Sequence, residues 1–161
     1  MAFTIQVQGL NELIRAMDKA PKNAEKVAAK ALYEGAGVMA DAVSQAVHGI
    51  ATEPFKFARG GQTRKPSPEE KALVASAKHG VAKFRKNGVS VNTSVGLQNS
   101  GYGQLGGKTK PIPQIANAIN SGTSFMQKQP FMRKAFSQNK GAAEAAIEAG
   151  IHKYEDELEL G

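Results

Sequence analysis

Three histidines are the residues of this chain best suited to acid–base chemistry or metal binding, because an imidazole titrates near neutral pH and ligates metals. His48, His79 and His152 are far apart and form neither an H-x-x-x-H nor an H-E-x-x-H pair. The chain has no cysteine, which excludes thiolate nucleophiles, thiolate zinc sites and disulfides. We therefore predict no catalytic centre, no metal site and no enzyme activity. A pocket holding His48 or His79 beside a carboxylate would instead indicate an enzyme.

A glycine pattern at residues 101–106, GYGQLG, has the G-x-G-x-x-G spacing of a dinucleotide-binding turn. Such a turn needs a preceding strand, a helix opening on the last glycine, and an acid about 20 residues later. Pro111 and Pro113 block that helix, and the next acid is Glu144. The pattern instead predicts a glycine-rich loop around 98–110 and no bound cofactor.

The charges are divided unevenly along the chain. The net charge is +7, and Ala72 to Ala143 contains ten Lys and Arg but no Asp or Glu. The last 18 residues reverse this sign, because they hold six of the 14 carboxylates. A basic middle and an acidic end are typical of nucleic-acid binding or of head-to-tail contact between identical subunits, although single charges are more often only solvated. The lack of carboxylates in the middle also disfavours a magnesium or calcium site there.

Six basic residues are candidates for contact with phosphates or with an acidic partner. They are Arg59, Arg64, Lys65, Lys83, Arg85 and Lys86. Phe84 lies among them and could stack on a base. The sequence has no zinc-finger, RNA-recognition or helix-turn-helix signature, so the hypothesis is a small, basic, non-enzymatic DNA-binding protein whose contacts follow the backbone.

The first 50 residues predict a strand and two helices. Phe3–Val7 alternates apolar and polar residues, as a half-buried strand does. A short helix is predicted at Leu10–Lys19. After Pro21, about 27 residues carry small apolar side chains at helical spacing, which predicts a long Ala-rich helix. Gly35 and Gly37 each weaken this helix by about 1 kcal/mol relative to Ala, and close packing is the expected compensation.

A loop and a capped helix follow. The basic stretch around 51–66 lacks apolar periodicity and is rich in Gly and Pro, which predicts a mobile loop. Ser67 as N-cap, Pro68 in the first turn and Glu70 closing a capping box predict the start of a helix. Gly80 is predicted to end it.

The central Asn-Gly pair, residues 87–88, is a strong hairpin signal because it separates two alternating segments. We predict strands near Val81–Arg85 and Val89–Leu97. Together with the N-terminal strand they form a small antiparallel sheet, which is expected to pack against the long Ala-rich helix and a long C-terminal helix. The predicted fold class is α+β, and residues 1–161 are expected to form a single domain.

Two further helices are predicted near the end of the chain. A short helix ends at Gly122, and a long one begins after Pro130 and continues through Leu158, with a weak point at Asn139–Gly141. No apolar run approaches the roughly 18 residues that cross a bilayer, and no secretory signal is visible at the N-terminus. The expectation is a soluble protein made in the cytosol.

The segment NSGTSFMQKQPFMRKAF, residues 120–136, carries the most specific pattern of the sequence. A Gly-Thr pair is followed, six residues later, by a Pro-Phe-Met-Arg run that opens the last helix. With the Gly9-Leu10 opening and the order of elements, this pattern resembles the neck or tail-completion proteins that join head to tail in long-tailed bacteriophages and prophages. The matching positions are Gly122, Thr123, Pro130, Phe131, Met132, Arg133, Ala135 and Phe136.

The resemblance implies a structural virion protein that forms a ring, expected to be hexameric, around the DNA path. Its partners would be a head-closure protein on one side and a tail-terminator protein on the other, with possible non-specific contact with passing DNA and none with a membrane. It would be assembled in the host cytoplasm and located at the head–tail junction of the virion. The resemblance implies no contacts for the stretch from Ala51 to Lys110, which is unusually basic and glycine-rich.

Residues 122–133 are the candidate subunit or partner interface. The candidates are Gly122, Thr123, Phe125, Met126, Pro130, Phe131 and Arg133. Two interpretations stay open. Phe131 and Phe136 either pin the last helix to the core or anchor an interface, and Phe125 and Met126 are expected to face a neighbouring subunit.

Overall fold

The computed structural model describes residues 2–5, 24–57, 60–81, 85–86, 91–98 and 101–154. Within these residues the fold is α+β, as predicted. The helices are α1 (Ala24–His48), α2 (Pro68–Ser76), α3 (Ile112–Ser121) and α4 (Phe131–Tyr154). The strands are β1 (Ala2–Ile5), β2 (Lys78–Val81), β3 (Arg85–Lys86), β4 (Val91–Gln98), β5 (Tyr102–Leu105) and β6 (Lys108–Pro111).

The described residues divide into two compact units. The first unit comprises residues 41–79 and 97–138, and the second unit comprises residues 2–40, 80–96 and 139–154. Helices α1 and α4 contribute residues to both units. The single-domain organisation predicted for 1–161 stays a prediction.

Strands β1, β2 and β3 each pair with β4. Strand β1 pairs antiparallel with β4, with Phe3 opposite Val95, and β2 pairs with β4 on its other side. Strand β3 pairs antiparallel with β4 and places Lys86 opposite Val91. The Asn-Gly turn at residues 87–88 and the helix predicted at Leu10–Lys19 lie outside the described residues.

Close helix packing in the second unit depends on glycine. A Cβ added to Gly35 of α1 would meet the side chain of Ile147 and lie 2.8 Å from the Ala143 carbonyl oxygen of α4. A Cβ on Gly150 of α4 would lie 2.9 Å from the Cα of Ala31. The predicted compensation by close packing is therefore confirmed for Gly35. It is wrong for Gly37, whose added Cβ would have nothing within 4 Å.

In the first unit, α2 begins with the predicted capping box. The Ser67 hydroxyl accepts the Glu70 N–H at 3.2 Å, and the Glu70 carboxylate accepts the Ser67 N–H at 2.7 Å. The helix ends at Ser76 rather than at Gly80, because β2 already begins at Lys78. The prediction of the helix start is confirmed and that of its end is wrong.

Residues 102–111 form a hairpin where the sequence predicts a glycine-rich loop. Strands β5 and β6 pair with Leu105 opposite Lys108, so only Gly106 and Gly107 form the turn. Both have positive φ, 57° and 74°, as a type I′ turn requires. Gly103 on β5 lies directly beneath Leu73 of α2, which leaves no room for a side chain.

Helix α3 ends at Ser121 and Gly122 caps it with φ 78°, as predicted. Helix α4 begins at Phe131 and runs without a break to Tyr154. The predicted weak point at Asn139–Gly141 does not interrupt the helix, because these residues are helical. No helix within the described residues is long and apolar enough to cross a membrane.

Candidate interaction surface

The corner between α3 and α4, residues 122–130, is closed by hydrogen bonds. The Thr123 N–H donates to the Met126 carbonyl at 3.0 Å, and the Thr123 hydroxyl accepts the Met126 N–H at 3.0 Å. The Gln129 N–H returns to the Ile119 carbonyl of α3 at 2.8 Å. These bonds satisfy backbone groups that would be hydrated in a flexible loop. The corner therefore has a defined backbone conformation.

The first turn of α4 is also tied to α3. The buried side chain of Asn120 accepts the Met132 N–H through its Oδ1 atom at 3.2 Å. An amide oxygen at this position supplies a partner for one of the N–H groups that a helix leaves unbonded at its start. Asn120, which precedes the Gly-Thr mark, and Met132, which lies within the Pro-Phe-Met-Arg mark, are thereby held together.

Arg64 joins the basic loop to this corner. Its N–H donates to the Phe125 carbonyl at 3.0 Å, and its carbonyl accepts the Gln127 N–H at 2.7 Å. The two segments therefore form a short parallel bridge, in which Arg64 pairs with Met126.

The Arg64 side chain is buried, with 6% of the residue exposed, against a Glu70 that is 3% exposed. Nη1 and Nη2 of Arg64 each donate to a different Glu70 carboxylate oxygen at 2.6 Å. Burial by itself raises the pKa of Glu70, but the hydrogen bonds from Arg64 and from the Ser67 N–H outweigh it and lower that pKa. The hydrogen bonds to Glu70 raise the pKa of Arg64, so both groups are charged at neutral pH.

The described part of the basic loop around 51–66 has further attachments. The Ala51 N–H donates to the side chain of Gln129 at 2.9 Å, and the Gln129 amide donates back to the Ala51 carbonyl at 2.6 Å. The Glu53 N–H donates to the Pro66 carbonyl at 3.1 Å, and the Glu53 carboxylate accepts the Lys65 N–H at 2.7 Å. That bond lowers the pKa of Glu53. The sequence of this loop predicts mobility, but these hydrogen bonds hold the segment in place at both ends.

The interface candidates divide into buried and exposed residues. Phe131 and Met126 are buried, so the expectation that Met126 faces a neighbouring subunit is wrong in this structure. It turns inward because the bridge with Arg64 directs it away from solvent. Phe125, with 50% of its surface exposed, and Arg133 remain accessible. Gly122, Thr123 and Pro130 shape the corner and are partly exposed.

The described members of the six basic candidates belong to two different units. Arg64 is occupied by Glu70 and unavailable to a phosphate, which corrects its assignment as a DNA contact. Lys65 is exposed in the first unit, whereas Arg85 and Lys86 belong to β3 of the second unit. Arg59 and Lys83 lie outside the described residues.

The three histidines lie on three different elements. Within the part of the chain that the structure describes, no three His, Cys, Asp or Glu residues lie close enough to hold a metal ion. His48 ends α1 and His152 lies in the last turn of α4, both exposed, and His79 is on β2.

Neither a family model, nor a curated protein, nor a solved structure shows significant similarity to this chain.

Sequence reasoning missed the tertiary partner of Glu70 and two exposed aromatic residues. Glu70 was recognised only as a capping residue, although Arg64 lies six positions before it. Phe55 and Phe57 are 54% and 79% exposed and pack edge to face, with ring centroids 5.3 Å apart. Two phenylalanines within a polar, proline-bounded loop are a signal that could have indicated an interaction surface.

Proposed function

We propose that this chain is a structural virion protein of the phage neck or tail-completion class. It assembles into a ring, most simply a hexamer, that joins the head connector to the tail around the DNA path. In this proposal it binds a head-closure protein on one side and a tail-terminator protein on the other, and it reaches the virion neck after assembly in the host cytoplasm. It has no catalytic, metal or cofactor role.

The observation that carries the proposal is the construction of the corner at residues 122–130. The family pattern begins in this corner and continues into α4, and the Gln129–Ile119 and Met132–Asn120 hydrogen bonds hold the corner and the start of α4 to α3. The corner presents Phe125 to solvent on a fixed backbone. A rigid corner with an exposed aromatic residue suits a protein whose task is to bind other subunits.

The arrangement of the second unit completes the proposed fold. In this proposal, the sheet formed by β1 and the central strands packs against the Ala-rich α1 and the C-terminal α4. Small residues on α1 favour the close helix approach seen at Gly35. Such a scaffold would keep the subunit rigid within a ring.

Electron microscopy and light scattering of the purified protein test this proposal. We expect ring-shaped particles whose population rises with protein concentration, and binding of these particles to isolated tails or head connectors. A protein that stays monomeric at high concentration and binds neither tails nor connectors would contradict the proposal.

A DNA-binding protein is the second candidate, and the absence of carboxylates from Ala72 to Ala143 favours it. Duplex binding that falls steeply with salt would support it. Because Arg64 is buried, the informative substitutions are Lys65→Ala, Arg85→Ala and Lys86→Ala. Loss of binding in an Arg64 variant would report damage to the fold instead.

A further inference from the structure

Three exposed phenylalanines of the first unit, Phe55, Phe57 and Phe125, are connected directly or through one another to Arg64. The Arg64 guanidinium lies 4.9 Å from the ring centroid of Phe55, and the Arg64 N–H binds the Phe125 carbonyl. Phe57 packs on the edge of Phe55. We refer to Phe55, Phe57 and Phe125 as the aromatic patch.

The aromatic patch has the properties of a prepared binding surface. Between 50% and 79% of each ring-bearing residue is exposed, although burying such rings is favourable. The backbone beneath them is fixed by the Arg64–Glu70 pair and by the bridge to the corner. Because this order already exists in the free subunit, the surface itself would lose little conformational entropy when a partner binds.

The rim of the aromatic patch is mainly basic. Lys65 follows Arg64, and Lys128 follows the Gln127 that binds Arg64, and both lysines are exposed. Lys56 lies between the two loop phenylalanines and pairs with Glu53 at 3.2 Å. Glu70 is neutralised by Arg64. The surface therefore fits a partner that combines acidic groups with apolar side chains.

This chain contains such a partner at its own C-terminal end. Glu144 and Glu148 are exposed on α4. The sequence continues as EDELEL at residues 155–160, which combines four carboxylates with two leucines. Together these positions hold six of the 14 carboxylates of the protein.

We propose that the aromatic patch of one subunit binds the acidic C-terminal segment, residues 144–160, of a second copy. The two surfaces differ, so the contact is head-to-tail, and a pair of subunits keeps one free aromatic patch and one free acidic segment. Such contacts build rings or filaments rather than closed two-fold dimers. The inference rests on the proposed function for ring closure, and it adds the surfaces that make the contact.

Complementation between two defective variants tests the pairing. The patch variant carries Phe57→Ser and Phe125→Ser, and the acidic variant carries Glu144→Lys and Glu148→Lys. We expect each to associate about tenfold more weakly than the wild type or worse. An equimolar mixture should form heterodimers that grow no further, because each heterodimer has one intact contact. Analytical ultracentrifugation measures these species.

A second patch variant controls for the possibility that the first patch variant misfolds. Lys65→Glu with Lys128→Glu reverses two exposed rim charges and leaves the rings in place. We expect it to lose self-association at low salt and to regain it when mixed with the acidic variant, whose new lysines complement it. Circular dichroism and thermal melting should match the wild type.

The outcomes separate this inference from the proposed function. Wild-type assembly by both patch variants, or a mixture that stays monomeric, would overturn the inference and leave the proposed function standing. Assembly that depends on the aromatic patch, in a protein that binds no tail or connector, would support the inference and contradict the proposed function.

Discussion

Arg64 and Glu70 form a buried, two-point ion pair in which both guanidinium Nη atoms donate to the carboxylate at 2.6 Å. The same carboxylate accepts the Ser67 N–H, which starts α2, and the Arg64 backbone is bonded to the corner. One side-chain pair thus connects the basic loop, the corner and the start of a helix. Charges held in this way depend on each other, because removing one leaves the other buried without a partner.

Substitution Arg64→Met should lower the free energy of unfolding by about 3–5 kcal/mol, since it leaves the Glu70 charge uncompensated. Urea denaturation measures the change. Lys65→Met is the matched control, because its side chain is exposed and should matter by less than about 0.5 kcal/mol. The double variant Arg64→Met, Glu70→Met should lose less stability than the two single variants added together. Equal effects of Arg64→Met and Lys65→Met would contradict this prediction.

Acid should destabilise the protein partly through Glu70. Its pKa in the folded state is below the usual value of 4.5, so its contribution to stability is present above pH 4.5 and is lost as pH falls through the folded-state pKa. Glu70→Gln should therefore be less stable at neutral pH and should lose less additional stability below pH 4.5. Denaturation curves over a pH series test this. An acid limb as steep in the variant as in the wild type would rule out Glu70 as its source.

Two glycines on α1 should respond to alanine in opposite directions. Gly35→Ala places a methyl group against Ile147 and the Ala143 carbonyl, so it should cost about 1–3 kcal/mol of stability. Gly37→Ala meets open space and improves helix propensity, so it should add up to about 1 kcal/mol. Thermal unfolding of the two variants gives both signs.

Glycines on α4, the helix that contacts α1 at Gly35, provide an independent test of this packing. Gly150→Ala approaches the backbone of Ala31 and should destabilise, whereas Gly141→Ala has nothing within 4 Å and should not. The close packing of α1 and α4 would be refuted if Gly35→Ala and Gly150→Ala both raised the melting temperature.

The turn of the β5–β6 hairpin should tolerate asparagine better than alanine. Gly107→Ala places a Cβ at φ 74°, which costs about 1–2 kcal/mol, and no steric neighbour contributes. Gly106→Asn should be nearly neutral, because Asn-Gly is a preferred type I′ pair. Chemical denaturation of both variants measures the difference, and equal destabilisation would argue against the type I′ assignment.

Capping residues and prolines in the sequence predicted helix boundaries, because these boundaries depend on residues close together in the chain. The Ser67–Glu70 capping box, the end of α3 at Gly122 and the start of α4 after Pro130 follow from capping and proline chemistry within a few residues. The β5–β6 hairpin was missed because its strands carry lysines and a glycine rather than an alternating apolar pattern. Its Gly-Gly turn was nonetheless visible in the sequence.

Burial within the candidate site depended on tertiary partners. An arginine is ordinarily expected to be exposed and able to contact a phosphate. The burial of Arg64 is favourable only because Glu70 lies against it. Phe125 and Met126 are adjacent in sequence, and the bridge to Arg64 decides that Met126 turns inward while Phe125 stays accessible. Sequence patterns identified the corner, and packing decided which of its side chains reach solvent.

Substitutions at Phe131 and at Phe125 should distinguish an effect on folding from an effect on assembly. Phe131 is only 4% exposed at the start of α4, so Phe131→Ala removes a buried ring and should cost about 3–5 kcal/mol of stability. Phe125→Ser changes a half-exposed ring and should alter the free energy of unfolding by less than about 0.5 kcal/mol, because little packing is lost. Urea denaturation gives the first quantity, and sedimentation of the folded variant shows whether assembly is lost with it. A Phe125→Ser protein that unfolds as readily as Phe131→Ala would mean that Phe125 supports the fold, and its exposed ring could then not be assigned to an interface.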